Sequence, residues 1–191
     1  MTLAFAMADN HERTSVVMIE TKRLLLRRLV ISDHEALDTL FANEEVMESS
    51  NDGPLNTKEV GVWLKSQIEG YQECCGIEIM AVEIRSTSEV IGYCGLTKFP
   101  DIDGATEIEI GYRLIRKFWG YGYATEAASA VRDYAFSELD LPRLVALIEP
   151  VNRRSVAVAR KLGMTYEKKI MMEGYDHPDH LYSIDNRVRD S

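Results

Sequence analysis

The sequence predicts a single α/β (α+β) domain with a central mixed, mostly antiparallel sheet flanked by about four helices. Three observations point there. Its 191 residues suit one domain with its own core and are few for two. The runs Ile77 to Ile84, Val90 to Thr97 and Thr106 to Leu114 follow one another through short turns, as consecutive antiparallel strands do. From Thr106 to Leu139 the order is strand, glycine-containing turn, helix, and a further apolar strand follows.

Residues 1–18 have mixed polarity and no sustained period, and are expected to be a poorly ordered extension ahead of a domain spanning 19–185. Arg23 to Leu29, an apolar run bounded by charges, is the first expected strand. Ser32 and Glu35 have the spacing of a capping box, and the helix beyond it buries Leu37, Leu40 and Phe41. The polar cluster from Ser49 to Pro54 marks residues 43–55 as a loop. Asn56 and Glu59 form a second capping box, ahead of a helical stripe of Val60, Trp63, Leu64, Ile68 and Tyr71. Arg85 to Glu89 is a five-residue hairpin loop, and Pro100 to Gly104 turns the chain into the next strand.

In that strand Glu107, Glu109 and Gly111 alternate with Ile108, Ile110, Tyr112 and Leu114, a period of two. Ala124, Ala128, Val131, Ala135 and Leu139 then recur at spacings of three and four, an amphipathic helix that Leu141-Pro142 stops. Leu144 to Ile148 is a buried strand. Val156, Ala159 and Leu162 face inward from a short helix closed by Gly163. Thr165 to Met171 and His180 to Ile184 make a last hairpin, and residues 186–191 are expected to fray.

The turn between the central strand and the long helix reads Arg116-Lys117-Phe118-Trp119-Gly120-Tyr121-Gly122-Tyr123-Ala124-Thr125-Glu126. The first turn of a helix holds N–H groups without partners and the positive end of the macrodipole, so an anion can dock there. Gly120 and Gly122 let the backbone approach a phosphate and adopt dihedrals closed to other residues, and Arg116 and Lys117 add positive charge. The same two glycines would also serve as a plain tight turn. A dinucleotide fingerprint needs Gly or Ala where Thr125 stands, and an acidic residue on the next strand, which is apolar until Glu149. The nucleoside-triphosphate pattern G-x-x-x-x-G-K-S/T is absent.

The segment resembles the acetyl-CoA pyrophosphate loop of the GNAT superfamily of N-acetyltransferases. Its pattern, Q/R-x-x-G-x-G/A, is met by Lys117-Phe-Trp-Gly120-Tyr-Gly122 with Lys in the first place. The longer run from Glu109 through Ala127 resembles the branch that includes ribosomal-protein N-terminal alanine and serine acetyltransferases, and the likeness extends from about Thr21 to Ile184. The resemblance implies the GNAT fold, with the sheet splayed at the acetyl-CoA site, acetyl-CoA as co-substrate, no metal, and direct transfer in a ternary complex. The implied acceptor is a primary amine, first a protein or peptide N-terminal α-amine; a polyamine, amino acid or antibiotic is the alternative. From another class, the chain could be a CoA-binding module without catalysis.

By the same resemblance, Leu114, Lys117, Phe118, Trp119, Gly120, Tyr121, Gly122, Tyr123, Ala124 and Thr125 bind the cofactor, and backbone N–H groups between Tyr112 and Leu114 polarise the acetyl carbonyl. Asn152, in the landmark Asn152-x-x-Ser155 ahead of Lys161-Leu-Gly-Met164, would hydrogen-bond the pantetheine arm; it equally suits a helix N-cap.

Moving an acetyl group from a thioester to an amine requires a neutral amine, a polarised carbonyl and a proton for the leaving thiolate. Alkyl amines are mostly protonated at pH 7, so a base is needed. Glu109 is expected to be that base, with Glu107 and Glu173 in reserve. Many superfamily members place a Tyr seven residues after the landmark Asn, where this chain has Ala159. Ser155 is the expected replacement as proton donor, or else a helix cap, and Tyr182 is the second choice.

A net charge of -9 argues against general attraction to nucleic acid or an anionic membrane and permits cationic partners. No apolar run approaches the roughly 20 residues of a membrane span. Met1 to Met7 is too short for a signal peptide and lacks a basic leader. A cytoplasmic protein, monomeric or homodimeric, is therefore expected. Cys74, Cys75 and Cys94 have neither disulfide nor metal spacing, and Cys94 should pack inside a strand. His177 and His180 with Asp176 and Asp179 read as a polar turn rather than a metal centre, and His34 as solvated.

Overall fold

The computed structural model describes residues 17–50, 52–72, 75–172, 174 and 177–186. Eight strands form one sheet: β1 (Met18–Glu20), β2 (Leu24–Arg28), β3 (Ile79–Ile84), β4 (Glu89–Ile102), β5 (Ala105–Leu114), β6 (Arg143–Ile148), β7 (Thr165–Ile170) and β8 (Asp179–Asp185), in the order β1-β2-β3-β4-β5-β6-β8-β7. Neighbours pair antiparallel except β5 and β6, which run parallel and share one register pair, Glu109 with Val145. The sheet parts at that seam.

Helices cover both faces. On one, α4 (Tyr123–Ser137) lays Ala127, Ala128, Val131 and Ala135 against Leu26, Val82, Leu96 and Ile110. Its alanines suit close packing against the central strands. α5 (Arg153–Lys161) joins that layer through Ala159. On the other face, α1 (His34–Phe41) and α3 (Thr57–Gly70) pack Leu37, Leu40, Val60 and Leu64 over Leu29, Ala81 and Ile115. The mixed sheet between helices is the expected class, and Cys94 lies fully buried inside it. Among the described residues no helix is long and apolar enough to cross a membrane.

At several places the chain departs from what its local pattern predicts. The capping box of Ser32 and Glu35 does not form. Asp33, 4% exposed, turns inward to accept from both terminal nitrogens of Arg27 at 2.9 Å and from the Val30 N–H at 2.9 Å. The chain therefore winds through a 3-10 turn at Ile31–Asp33, and α1 starts at His34 with Ser32 left exposed. The expected loop 43–55 contains a one-turn helix, α2 (Glu44–Met47), capped by Asn43 and anchored by buried Val46 and Met47. Met18, placed in the extension by sequence, pairs with Arg27 at the sheet edge.

β4 does not turn at Pro100 but continues to Ile102. Its pairing with β5 is irregular between Phe99 and Ile102, so the missing proline N–H falls where the ladder is already broken. The turn itself is Asp103-Gly104, both with positive φ, the two-residue pattern that suits a hairpin. The Arg85 to Glu89 loop is one residue shorter than expected, because Glu89 pairs with Ile84. The box of Asn56 and Glu59 forms as read. Cys74, Glu173, Asp176, residues 1–16 and residues 187–191 lie outside the described residues.

Candidate active site

β5 ends at Leu114, and the chain makes one 3-10 turn at Arg116–Phe118 before entering α4. The Trp119 indole N–H donates to the Leu114 carbonyl at 2.7 Å and pins this turn to the end of the strand. Gly120 (φ +85°) and Gly122 (φ +82°) both take left-handed backbone, and Gly122 is the residue from which α4 begins. A Cβ on Gly120 would meet nothing within 4 Å, so what glycine supplies there is the dihedral rather than room. The first bond within α4 runs from the Glu126 N–H to the Gly122 carbonyl at 3.0 Å. The N–H groups of Tyr123, Ala124 and Thr125 precede it, at the positive end of the helix.

The loop's flanking cations are partly engaged. Lys117 Nζ lies 2.7 Å from Glu89. Arg116 and Arg154 both pair with Glu45 of α2, and each guanidinium stacks on the Trp119 ring at 4.8 Å. These pairs are exposed, so an incoming polyanion competes for them at little cost. Phe118, Tyr121, Tyr123, Lys117 and Glu89 line a shallow cavity of about 240 Å³ beside the loop.

The opened seam lies next to it. The Ile115 N–H donates to Ile91 of β4 at 2.8 Å, so by alternation the N–H groups of Tyr112 and Leu114 face the β6 side. Glu109 reaches across the same gap: its Oε1 accepts the Leu147 N–H of β6 at 3.1 Å. Burial pushes its carboxyl up to about 7, against the Leu147 bond, while Asp179 adds to the rise and Arg113 opposes it. A Cβ on Gly111 would meet only Glu109 Oε2, at 3.9 Å, so that face is open beside the carboxylate. Glu107, the first reserve base, is tied instead to Arg143 at 3.2 Å, which also binds Glu167 at 2.6 Å.

Across the seam, Asn152 Oδ1 accepts the Ser155 N–H at 3.0 Å and caps α5, leaving its amide nitrogen without a hydrogen bond among the described residues. The Tyr112 hydroxyl donates to Ser155 Oγ at 3.4 Å, and burial pushes that phenol up to about 12. From the sequence Tyr112 is expected to act only through its backbone N–H. The available signal was its parity, opposite to Glu109 on the strand that feeds the loop. Tyr182 is 5% exposed and packs edge-on to Tyr166.

The site thus brings together a left-handed glycine turn with free amides, two strand N–H groups at an opened seam, a carboxyl that titrates near neutrality and a Tyr–Ser hydroxyl pair. Residues 23–165 match the family model described as an acetyltransferase (GNAT) domain. The chain is 37% identical over 153 residues to the uncharacterised protein YkkB of Bacillus subtilis, covering 78% of this chain and 86% of that one. It is 30% identical over 156 residues to p20 of Bacillus licheniformis, an uncharacterised N-acetyltransferase, covering 82% and 85%. Among solved structures, a GNAT-family acetyltransferase from Bacillus anthracis superposes with a TM-score of 0.78 at 24% identity, over 89% of this chain and 99% of that one. RimL, a ribosomal α-N-protein acetyltransferase solved with coenzyme A, superposes with a TM-score of 0.72 at 21% identity, over 87% and 98%.

Proposed function

Because the chain belongs to the acetyltransferase (GNAT) domain family, it is an acetyl-CoA-dependent N-acetyltransferase, and we propose that its acceptor is a primary amine, in first place the α-amine of a protein or peptide N-terminus. The observation that carries the reading is Glu109, a carboxyl pushed up to about 7 and held in the parted seam beside the glycine turn. The likeness to RimL supports the α-amine.

The residues present fit the co-substrate. The amides after Gly122 suit a diphosphate, and the unused amide nitrogen of Asn152 suits the pantetheine arm. The N–H groups of Tyr112 and Leu114 supply donors to an acetyl carbonyl, where developing negative charge is best stabilised. When bound, the thioester provides the acetyl group. An ammonium must shed two protons to become an amide nitrogen. Glu109 takes one before attack, and a value near 7 lets it accept at neutral pH and release again. Ser155, backed by the Tyr112 hydroxyl, donates to the departing sulfur, and the second proton from nitrogen balances that donation.

A second reading, a small cationic amine, is favoured by the carboxylates Glu109, Glu149 and Asp179 on the acceptor side. Thiol release measured across a panel of N-terminal peptides, polyamines and amino acids, with product masses, tests both. Turnover with peptides ahead of the other amines is expected. Coenzyme A binding without turnover of any amine would replace the enzyme reading with a binding module.

A further inference from the structure

Past Glu109 the seam leads to the ends of β6 and β8, where Ile148 pairs with His180. Glu149 follows β6 directly and Asp179 opens β8. Asp179 is 7% exposed, and its Oδ1 is fully buried with no hydrogen-bond partner. Among the described residues the one basic group within 4 Å of it is His177, whose Nδ1 is 3.9 Å away, too far for a hydrogen bond. The other ring nitrogen of His177 is 3.9 Å from Glu149 Oε1. From β7 the neighbour opposite Asp179 is apolar Ile170. Burial raises the Asp179 carboxyl and Glu149 adds to the rise, against His177 and His180; Asp179 in turn acts on Glu109, which Arg113 opposes.

A buried carboxylate that only held a hairpin together would be satisfied by backbone or side-chain donors. This one is not, and Glu149 adds negative charge beside the two histidines that face it. Glu149 and His177 stand at its mouth, with side chains 20% and 39% exposed. Among the described residues no group of His, Cys, Asp and Glu could hold a metal ion. What the arrangement lacks is a hydrogen-bonding cation from outside.

We propose that Asp179, with Glu149 beside it, is a subsite for a second cationic group of the acceptor, a primary ammonium or guanidinium carried about 6–7 Å from the nitrogen that is acetylated. The spacing comes from the strand: Leu147 holds Glu109, Glu149 is two residues further on, and a strand rises about 3.3 Å per residue. The inference rests on Glu109 marking the reactive nitrogen.

Calorimetry on the full chain saturated with coenzyme A tests it without needing turnover. Two matched pairs serve as probes: 1,4-diaminobutane against 1-aminobutane, and a peptide beginning Ser-Lys against one beginning Ser-Met. At least one pair is expected to show about a tenfold preference for the second charge. Asp179→Asn should reduce that preference to threefold or less. A preference confined to the diamine assigns a small polyamine acceptor, and one confined to the peptide assigns a basic N-terminus. No preference in either pair, or a preference untouched by Asp179→Asn, overturns the subsite. Should that variant fail to fold, Glu149→Gln takes its place, with at least a threefold loss expected and full retention overturning the idea. Glu109→Gln separates the two readings: it should lower kcat/KM about 10²–10³-fold yet keep the preference. Undiminished turnover in it would remove the base and the spacing of about 6–7 Å counted from it, while a preference lost only in Asp179→Asn would still assign the charge subsite.

Discussion

Arg23 Nε lies 2.6 Å from Glu126 Oε2, and the other oxygen of that carboxylate accepts the Arg23 N–H at 2.9 Å and the Thr21 hydroxyl at 2.6 Å. Arg23 also reaches the Tyr121 carbonyl, between the two glycines, at 2.9 Å. One carboxylate in the first turn of α4 thus ties the glycine turn to the start of β2. Burial would raise Glu126, but these donors hold it below the ordinary carboxylate range.

Glu126→Gln should therefore cost about 2 kcal/mol of stability, the scale of hydrogen bonds to a charged group, and weaken coenzyme A binding about tenfold. Because the folded value is lowered, the contribution is complete above the ordinary carboxylate range and fades as pH falls through the lowered value. Denaturant melts of both proteins should accordingly converge in acid. Unchanged affinity for coenzyme A would show that the turn holds its shape without the tie.

Glu109 carries the opposite sign. With a value near 7, kcat/KM should fall below about pH 7 as the carboxyl takes up a proton, and Glu109→Gln should lower it 10²–10³-fold. The folded state holds this proton more tightly than the unfolded one, so ionising Glu109 erodes stability between about pH 4.5 and 7. Glu109→Gln should be more stable than the parent at pH 8 and no more stable at pH 5, which urea melts at the two values will read.

Gly120→Ala forces a side chain into left-handed backbone at a cost of about 1–2 kcal/mol, with no clash to add to it. The turn relaxes to escape that strain, so coenzyme A affinity should drop at least tenfold while the melting temperature moves by only a few degrees. Calorimetry beside a thermal melt distinguishes the two effects.

Tyr112→Phe keeps the ring and removes the hydroxyl bonded to Ser155. A roughly tenfold drop in kcat is expected, with coenzyme A affinity and acceptor KM unchanged. Ser155→Ala should match or exceed it, and the double variant should be no worse than Ser155→Ala alone, since the two hydroxyls act as one unit. If kcat stays constant in all three, the sulfur takes its proton from solvent.

Local patterns made much of this legible. Period-two alternation separates Glu109 from Tyr112, and helical spacing after Gly122 places α4. Ser32 misled because the competing partner of Asp33 is Arg27, on the preceding strand. α2 and β1 are too short for any period to register. The tie from Glu126 to Arg23 spans 103 positions, and the meeting of Tyr112 with Ser155 depends on two strands drawing apart. Neither relationship is written in a window of neighbouring residues.

With a single register pair between β5 and β6, the one sheet is two halves leaning on each other, braced by α4 and α5 rather than stitched along the join. Whatever fills that crack serves as mortar. Saturating coenzyme A, at about a hundred times its dissociation constant, should add about 2.7 kcal/mol to unfolding. Its slowing of amide exchange should be concentrated in the two strands that flank the crack, so that cargo and keystone are the same molecule.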